Sequence, residues 1–346
     1  TTYPCIIKLS KKSEKTLTTI CKVDNLEFKD LAEYVKTTGY KIDAGSLKNE
    51  GWSLADKKST GLLEKIKSRG IPLGEYVNGK IFYGIKTGLN EAFVIDEETK
   101  KRLIKEDPKS KEVIKPFYFG KDIKRYCSEP SNKYLILIPR GWTDSNRKGT
   151  EARKWLEKSY PAIAEHLAPF EEAARKRYDK GEYWWELRAC DYYDEFEKPK
   201  IFLPDMSLCG NFAIDYSSCY CANTAYMIAS SDLYLLGLLN SSLLTYAYKN
   251  LFAVFRGGYL RFFTQYMAEL PIKIPMSKEE KGFQGKLVSL VTSIIDLKKH
   301  LSTARTDQDK TLISRQIEAT DRRIDELVYE LYGLTDEEIK IVEGGK

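Results

Sequence analysis

Between residues 80 and 275 the chain alternates short apolar runs with helix-like segments, and the alternation lacks a βαβ rhythm. The strand-like runs are Lys80-Ile81-Phe82-Tyr83, Ala92-Phe93-Val94-Ile95, Tyr134-Leu135-Ile136-Leu137-Ile138, Lys200-Ile201-Phe202-Leu203 and Thr224-Ala225-Tyr226-Met227-Ile228. A doubly wound sheet needs a helix after nearly every strand, so this order predicts an α+β fold with a mixed sheet. Asp96 with Glu97 and Glu98 predicts a helix start, because carboxylates suit the unpaired N–H groups of a first turn. Asp107-Pro108 predicts a second one, running through Val113 and Ile114 towards Lys115-Pro116. Helices are also predicted over 26–38, 60–69, 151–178 with a break at Pro161, and 233–244.

The two ends have a different character. Leu287, Leu290, Val291, Ile294, Ile295, Leu297 and Leu301 recur at helical spacing, as do Leu312, Ile313, Ile317, Ile324, Leu327, Val328 and Leu331 after a polar break at 306–309. This predicts a C-terminal helical hairpin. Residues 3–9 and 16–23 read as two strands joined by a polar turn. A lone hairpin is not stable in water, so this one needs a sheet to join. The expectation is that the chain is cut from something larger.

At 346 residues, 42% hydrophobic and 31% charged, the chain is neither a disordered tail nor a membrane bundle. Its most apolar stretch, 233–255, is interrupted by Asn240-Ser241-Ser242, Lys249 and Asn250, which reads as a buried helix rather than a membrane span. The 7 cysteines form no CxxC pair, and the opening residues carry no signal pattern. The expectation is a soluble cytoplasmic protein with reduced thiols. With only 2 histidines, far apart in sequence, a His-built zinc site or a Ser-His triad has little support. GxGxxG, GxxxxGK[ST] and GxSxG are all missing. Asp205, Asp215 and Glu195 lack metal-motif spacing, and pairs such as Glu171-Glu172 read as solvated helix faces. No catalytic centre and no cofactor or metal site emerges.

What remains is a distribution of charge. Lys+Arg number 56 against 50 Asp+Glu. Residues 281–346 hold 11 basic and 12 acidic groups, so the positive excess lies in the α+β part. Four glycine-containing loops carry basic and amide side chains: Lys86-Thr87-Gly88 with Asn90; Lys121-Asp122-Ile123-Lys124-Arg125; Arg140-Gly141 with Arg147 and Lys148; and Arg256-Gly257-Gly258-Tyr259-Leu260-Arg261 with Gln265. Lys and Arg neutralise phosphates, Arg bonds guanine with two hydrogen bonds, and Asn or Gln does the same for adenine. Glycine lets a backbone approach a phosphate closely. The plainer reading is four solvated loops, with Gly257-Gly258 a simple turn and Asp122 paired to Lys124 or Arg125. In Tyr183-Trp184-Trp185-Glu186-Leu187-Arg188, adjacent Trp rings cannot share one face, so one is expected in the core and the other is open to a surface role, with a structural role favoured for both. Arg188 either reaches a phosphate or pairs with Glu186.

The segments Gly84-Ile85-Lys86-Thr87-Gly88-Leu89-Asn90-Glu91-Ala92-Phe93-Val94-Ile95-Asp96, Lys121 to Tyr126, Trp184 to Arg188, Lys198-Pro199-Lys200-Ile201, Leu235 to Ser241, Leu270-Pro271-Ile272 and Leu327 to Leu334 together resemble the TaqI-like specificity domain. That domain forms the C-terminal part of many adenine-specific DNA methyltransferases and type IIG restriction-modification enzymes, and the resembling pieces span residues 75–340. The resemblance implies a division into 1–28, the terminal hairpin of a preceding methyltransferase domain; 29–275, a DNA target-recognition domain; and 276–346, the C-terminal helical hairpin. The family's Asn-Pro-Pro-Tyr-type motif and S-adenosylmethionine-binding glycine motif do not occur here. The implied function is therefore recognition without catalysis. Double-stranded DNA and the methyltransferase domain of the same parent chain are the partners, no membrane is involved, and S-adenosylmethionine belongs to that other domain. Side-chain chemistry and loop position nominate Arg256, Arg261, Gln265 and Asn90 for base contact. They nominate Lys86, Lys121, Lys124, Arg125 and Arg140 for phosphate contact, with Thr87, Arg188 and Tyr259 beside them. The alternative is a non-catalytic interaction module that assembles through its C-terminal helices.

Overall fold

Alternation along three strands sorts their side chains between two cores. In the computed structural model, which describes residues 6–8, 16–21, 23, 27–47, 57–128, 131–252 and 254–344 (the backbone alone for Ser46, Lys57 and Arg256), a mixed sheet of five strands lies at the centre. Its order is Ile81–Tyr83, Ala225–Ile228, Lys200–Pro204, Ala213–Asp215, Tyr126–Cys127, and only the last pairing is parallel. Successive side chains on a strand point to opposite faces. Ile201, Leu203, Ile214, Tyr226 and Ile228 therefore enter one core, and Phe202, Ala213, Ala225 and Met227 the other. Burial on both faces explains why these strands read as continuous apolar runs.

The first core is closed by the helices Leu233–Asn240, Ser242–Leu251, Lys278–Thr303 and Asp307–Leu331. The second is closed by a four-stranded sheet, in the order Tyr220–Cys221, Ile114–Tyr118, Lys133–Ile136, Val94–Asp96, and by the helices Ala152–Ser159, Pro161–Leu167 and Glu171–Lys176. The α+β expectation with a C-terminal helical hairpin holds.

The polar break at Asn240-Ser241-Ser242 is a joint. Asn240 exchanges two 3.0 Å hydrogen bonds with the Phe212 backbone, and the Ser241 hydroxyl caps the next helix. The Ser242 N–H and hydroxyl each donate to Asp325 at 2.7 Å, which fastens the C-terminal hairpin to the core. Those helices therefore pack within the molecule.

Three expectations need correction. Ala92 and Phe93, read as the start of a strand, belong to the short helix Asn90–Phe93, and the strand runs Val94–Asp96. The turn opened by Asp107-Pro108 ends as a 3-10 helix at Glu112, and Ile114–Tyr118 is a strand rather than the end of a helix. Pro116 is tolerated there because the parallel neighbour pairs only from Phe117 onwards, so no ladder donor is missed. At the N-terminus, Leu17–Ile20 pairs with Tyr40–Asp43, a segment the sequence pattern left without a strand. Residues 6–8 lie outside any strand, and 1–5 and 9–15 lie outside the described residues. None of the 6 described cysteines is in a disulfide. Among the described residues no helix is long and apolar enough to cross a membrane.

Candidate nucleic-acid interface

Three of the four basic loops meet at one exposed turn, Asn223-Thr224. The Asn223 N–H donates to the carbonyl of Ile85 at 2.9 Å, which sets Lys86 beside it. The Gly120 N–H donates to the Thr224 hydroxyl at 3.0 Å, which brings in Lys121. The Asp205 N–H donates to the Thr224 carbonyl at 2.8 Å, and Asp205 in turn holds Arg261 at 2.9 Å. Two glycines make this convergence possible. A Cβ on Gly84 would lie 1.9 Å from the Ala222 carbonyl oxygen, and one on Gly120 would lie 2.1 Å from that of Thr224. Glycine here serves close approach to the chain's own turn, whereas the sequence reading gave it to phosphate.

The fourth loop joins through the segment 177–188. Arg177 is buried and lies over the Phe93 ring at 4.2 Å. Its guanidinium donates to the carbonyls of Thr87, Ala174, Asp179, Trp184 and Glu186. Burial pulls its pKa down to about 10, with Asp179 acting the other way, so it remains a cation at neutral pH. Lys86 and Arg188 reach the same buried carboxylate, Asp179, at 3.0 and 3.4 Å. Three cations thus surround one anion, and the excess positive charge faces solvent at Lys86 and Arg188. Glu186 is fully buried and accepts the backbone N–H groups of Gly141, Thr143, Glu182 and Tyr183, which ties the Arg140 loop to this segment.

Not every nominated residue reaches this surface. Thr87 is buried, and its hydroxyl donates to the Asn90 amide oxygen at 2.6 Å, so it shapes the loop; Asn90 itself is exposed. Arg125 is an internal group: it grips Asp321 with two 2.8 Å bonds, while the Tyr126 hydroxyl donates to the same carboxylate. Its part is to hold the C-terminal hairpin, not a phosphate. Asp122 accepts the Phe119 N–H and closes its own turn. Lys121 and Lys124 are exposed and have no acidic partner among the described residues. Arg140 is half-exposed and paired with Glu182. Arg188 pairs with Asp179 rather than Glu186. Arg261 lies over Phe263 at 4.3 Å. Tyr259 and Gln265 are exposed, and the Arg256 side chain lies outside the described residues. Trp184 and Trp185 are both buried, in keeping with the structural role favoured for the pair; Trp185 donates to the Thr143 hydroxyl, and the Tyr183 ring stacks on Trp185. The sequence reading missed Arg177, Asp179 and Asn223. The carboxylates Asp205, Asp215 and Glu195 each engage a different cation, Arg261, Lys200 and Lys198.

Residues 115–272 match the family of the TaqI-like C-terminal specificity domain. The match begins beyond the Lys86 loop and ends before the C-terminal helices, so it is narrower than the span of resembling motifs. Among solved structures, the type IIL restriction-modification enzyme MmeI, in complex with DNA, aligns at 13% identity and a TM-score of 0.51, over 77% of this chain and 35% of that one. The type IIG restriction endonuclease BpuSI aligns at 14% identity and a TM-score of 0.42, over 85% of this chain and 36% of that one. The chain thus spans about a third of the length of either enzyme. The MmeI likeness shows a shared fold. The comparison with curated proteins returns no match.

Proposed function

We propose that this chain is the sequence-recognition part of an adenine-specific DNA methyltransferase or type IIG restriction-modification enzyme. It grips duplex DNA and presents the target adenine to a catalytic domain that this chain does not contain. The observation that carries the reading is the convergence of Lys86, Lys121 and Arg261 on one exposed turn, in a chain whose residues 115–272 match the TaqI-like specificity domain. The fold shared with MmeI, whose structure holds DNA, is in keeping with it. In this reading Lys86, Lys121, Lys124, Arg140 and Arg188 attract phosphates, and Arg261, Gln265, Asn90 and Tyr259 are the candidates to read base edges in the major groove. The methyl donor, S-adenosylmethionine, belongs to the catalytic domain, and no residue of this chain is assigned to it. The site of action is the cytoplasm.

Fluorescence anisotropy of the intact chain with labelled duplexes tests this. The expected result is binding whose logarithm falls linearly with the logarithm of salt concentration, as counterion release requires. Absence of duplex binding at about 0.05 M salt, where phosphate attraction is strong, would overturn it.

A further inference from the structure

Tyr178 is 95% exposed, while its neighbours Arg177 and Asp179 are only 6% and 5% exposed. A ring left in water adds nothing to the fold, yet the backbone that carries it is tied down on both sides. Arg177 bonds five carbonyls from three separate segments. Asp179 is clamped by Lys86 and Arg188, and the Lys180 ammonium folds back to donate to the Arg177 carbonyl at 2.8 Å. The backbone is fixed and only the side chain is free. An aromatic ring presented in this way loses little conformational entropy when it makes a contact. The charge around it selects the partner: Arg177, Lys86 and Arg188 outweigh Asp179, which suits a polyanion better than a protein surface.

We infer that Tyr178 is a base-contacting residue, its ring packing against base edges in a groove of a duplex whose phosphates are drawn to Lys86 and Arg188. The inference rests on the DNA-binding reading above and adds the element that supplies sequence preference. The cations attract any duplex, whereas an apolar ring against base edges favours an edge that carries the thymine methyl group.

The test selects bound duplexes from a randomised pool with the intact wild type, Tyr178→Phe and Tyr178→Ala, and then measures affinity for the selected sequence by anisotropy. Tyr178→Phe is expected to select the wild-type motif. Tyr178→Ala is expected to lose preference at one or two positions and to bind the selected duplex about tenfold to a hundredfold more weakly, the scale of one lost base contact, with the same salt slope. Thermal unfolding of both variants should match wild type, because the ring packs against nothing. If Tyr178→Ala selects the same motif with the same affinity, the inference fails and the DNA reading stands. If Tyr178→Phe behaves like Tyr178→Ala, the hydroxyl is the contact and ring packing is wrong. If the wild type binds no duplex, the DNA reading falls and takes the inference with it.

Discussion

Removing Lys86 and Arg188 together isolates the electrostatic part of the proposed interface. Each side chain has about half its surface in water, at 53% and 52%, and both share the Asp179 carboxylate. Two phosphate contacts are therefore at stake. Each neutralised phosphate contributes about 0.9 to the slope of log affinity against log salt, so the double variant Lys86→Ala/Arg188→Ala should be shallower by about 1.8. At about 0.1 M salt that corresponds to binding roughly 60-fold weaker, and the gap closes as salt rises. Asp179 is buried and loses both of its side-chain partners, which costs up to about 3–5 kcal/mol of stability, so chemical denaturation of the variant accompanies the binding measurement. Arg177 stays nearby and is charged, but its own hydrogen bonds go to backbone carbonyls, so it offsets the Asp179 charge only in part. Anisotropy of one labelled duplex across a salt series reads the slope directly. Lys299→Ala/Lys310→Ala, on the helices near the turn of the C-terminal hairpin, is the charge-matched control. An unchanged slope, or an equal change in the control, would refute the placement of the interface.

Three further outcomes follow from the packing. Arg125→Met should cost roughly 2–4 kcal/mol in chemical denaturation by stranding Asp321, and leave the duplex salt slope alone; a changed slope at unchanged stability would return Arg125 to the interface. Gly84→Ala should cost more than the roughly 1–3 kcal/mol of ordinary overpacking, because the Ala222 carbonyl belongs to the turn that organises the site; a soluble variant of wild-type stability would contradict it. Burial opposes ionisation of Asp215, but Lys200 at 2.7 Å, Ser217 and the Cys219 N–H together hold its carboxyl below the usual range. Its folded pKa lies below its unfolded value, so the stabilisation is complete above the ordinary carboxylate pKa of about 4 and fades as pH falls further. Asp215→Asn should lose this acid dependence and, by leaving Lys200 buried alone, cost about 3–5 kcal/mol near neutral pH; equal stability there would contradict the pairing.

The fold was legible where periodicity was strong. The strand runs at 81–83, 200–204 and 225–228 and the stripes of the C-terminal helices are repeated hydrophobic signals, and each folds as its period requires. Residues 113–118 misled because Asp-Pro is a genuine helix start whose continuation is settled by strand partners distant in sequence. The four basic loops stand out in the sequence, but their internal carboxylates do not. Asp321 lies 196 residues from Arg125, so a local reading could not separate that buried pair from an exposed cation. Asn223-Thr224 carries no charge and no motif; only the hydrogen bonds of three separate loops mark it as the hub.

Lysine-selective labelling of the intact chain, with and without duplex DNA, measures the gathered face itself. Lys86, Lys121 and Lys124 should be protected by duplex, while Lys299 and Lys310 keep their free-chain reactivity. Equal protection of both groups, or protection confined to the C-terminal helices, would place the double helix elsewhere on the molecule.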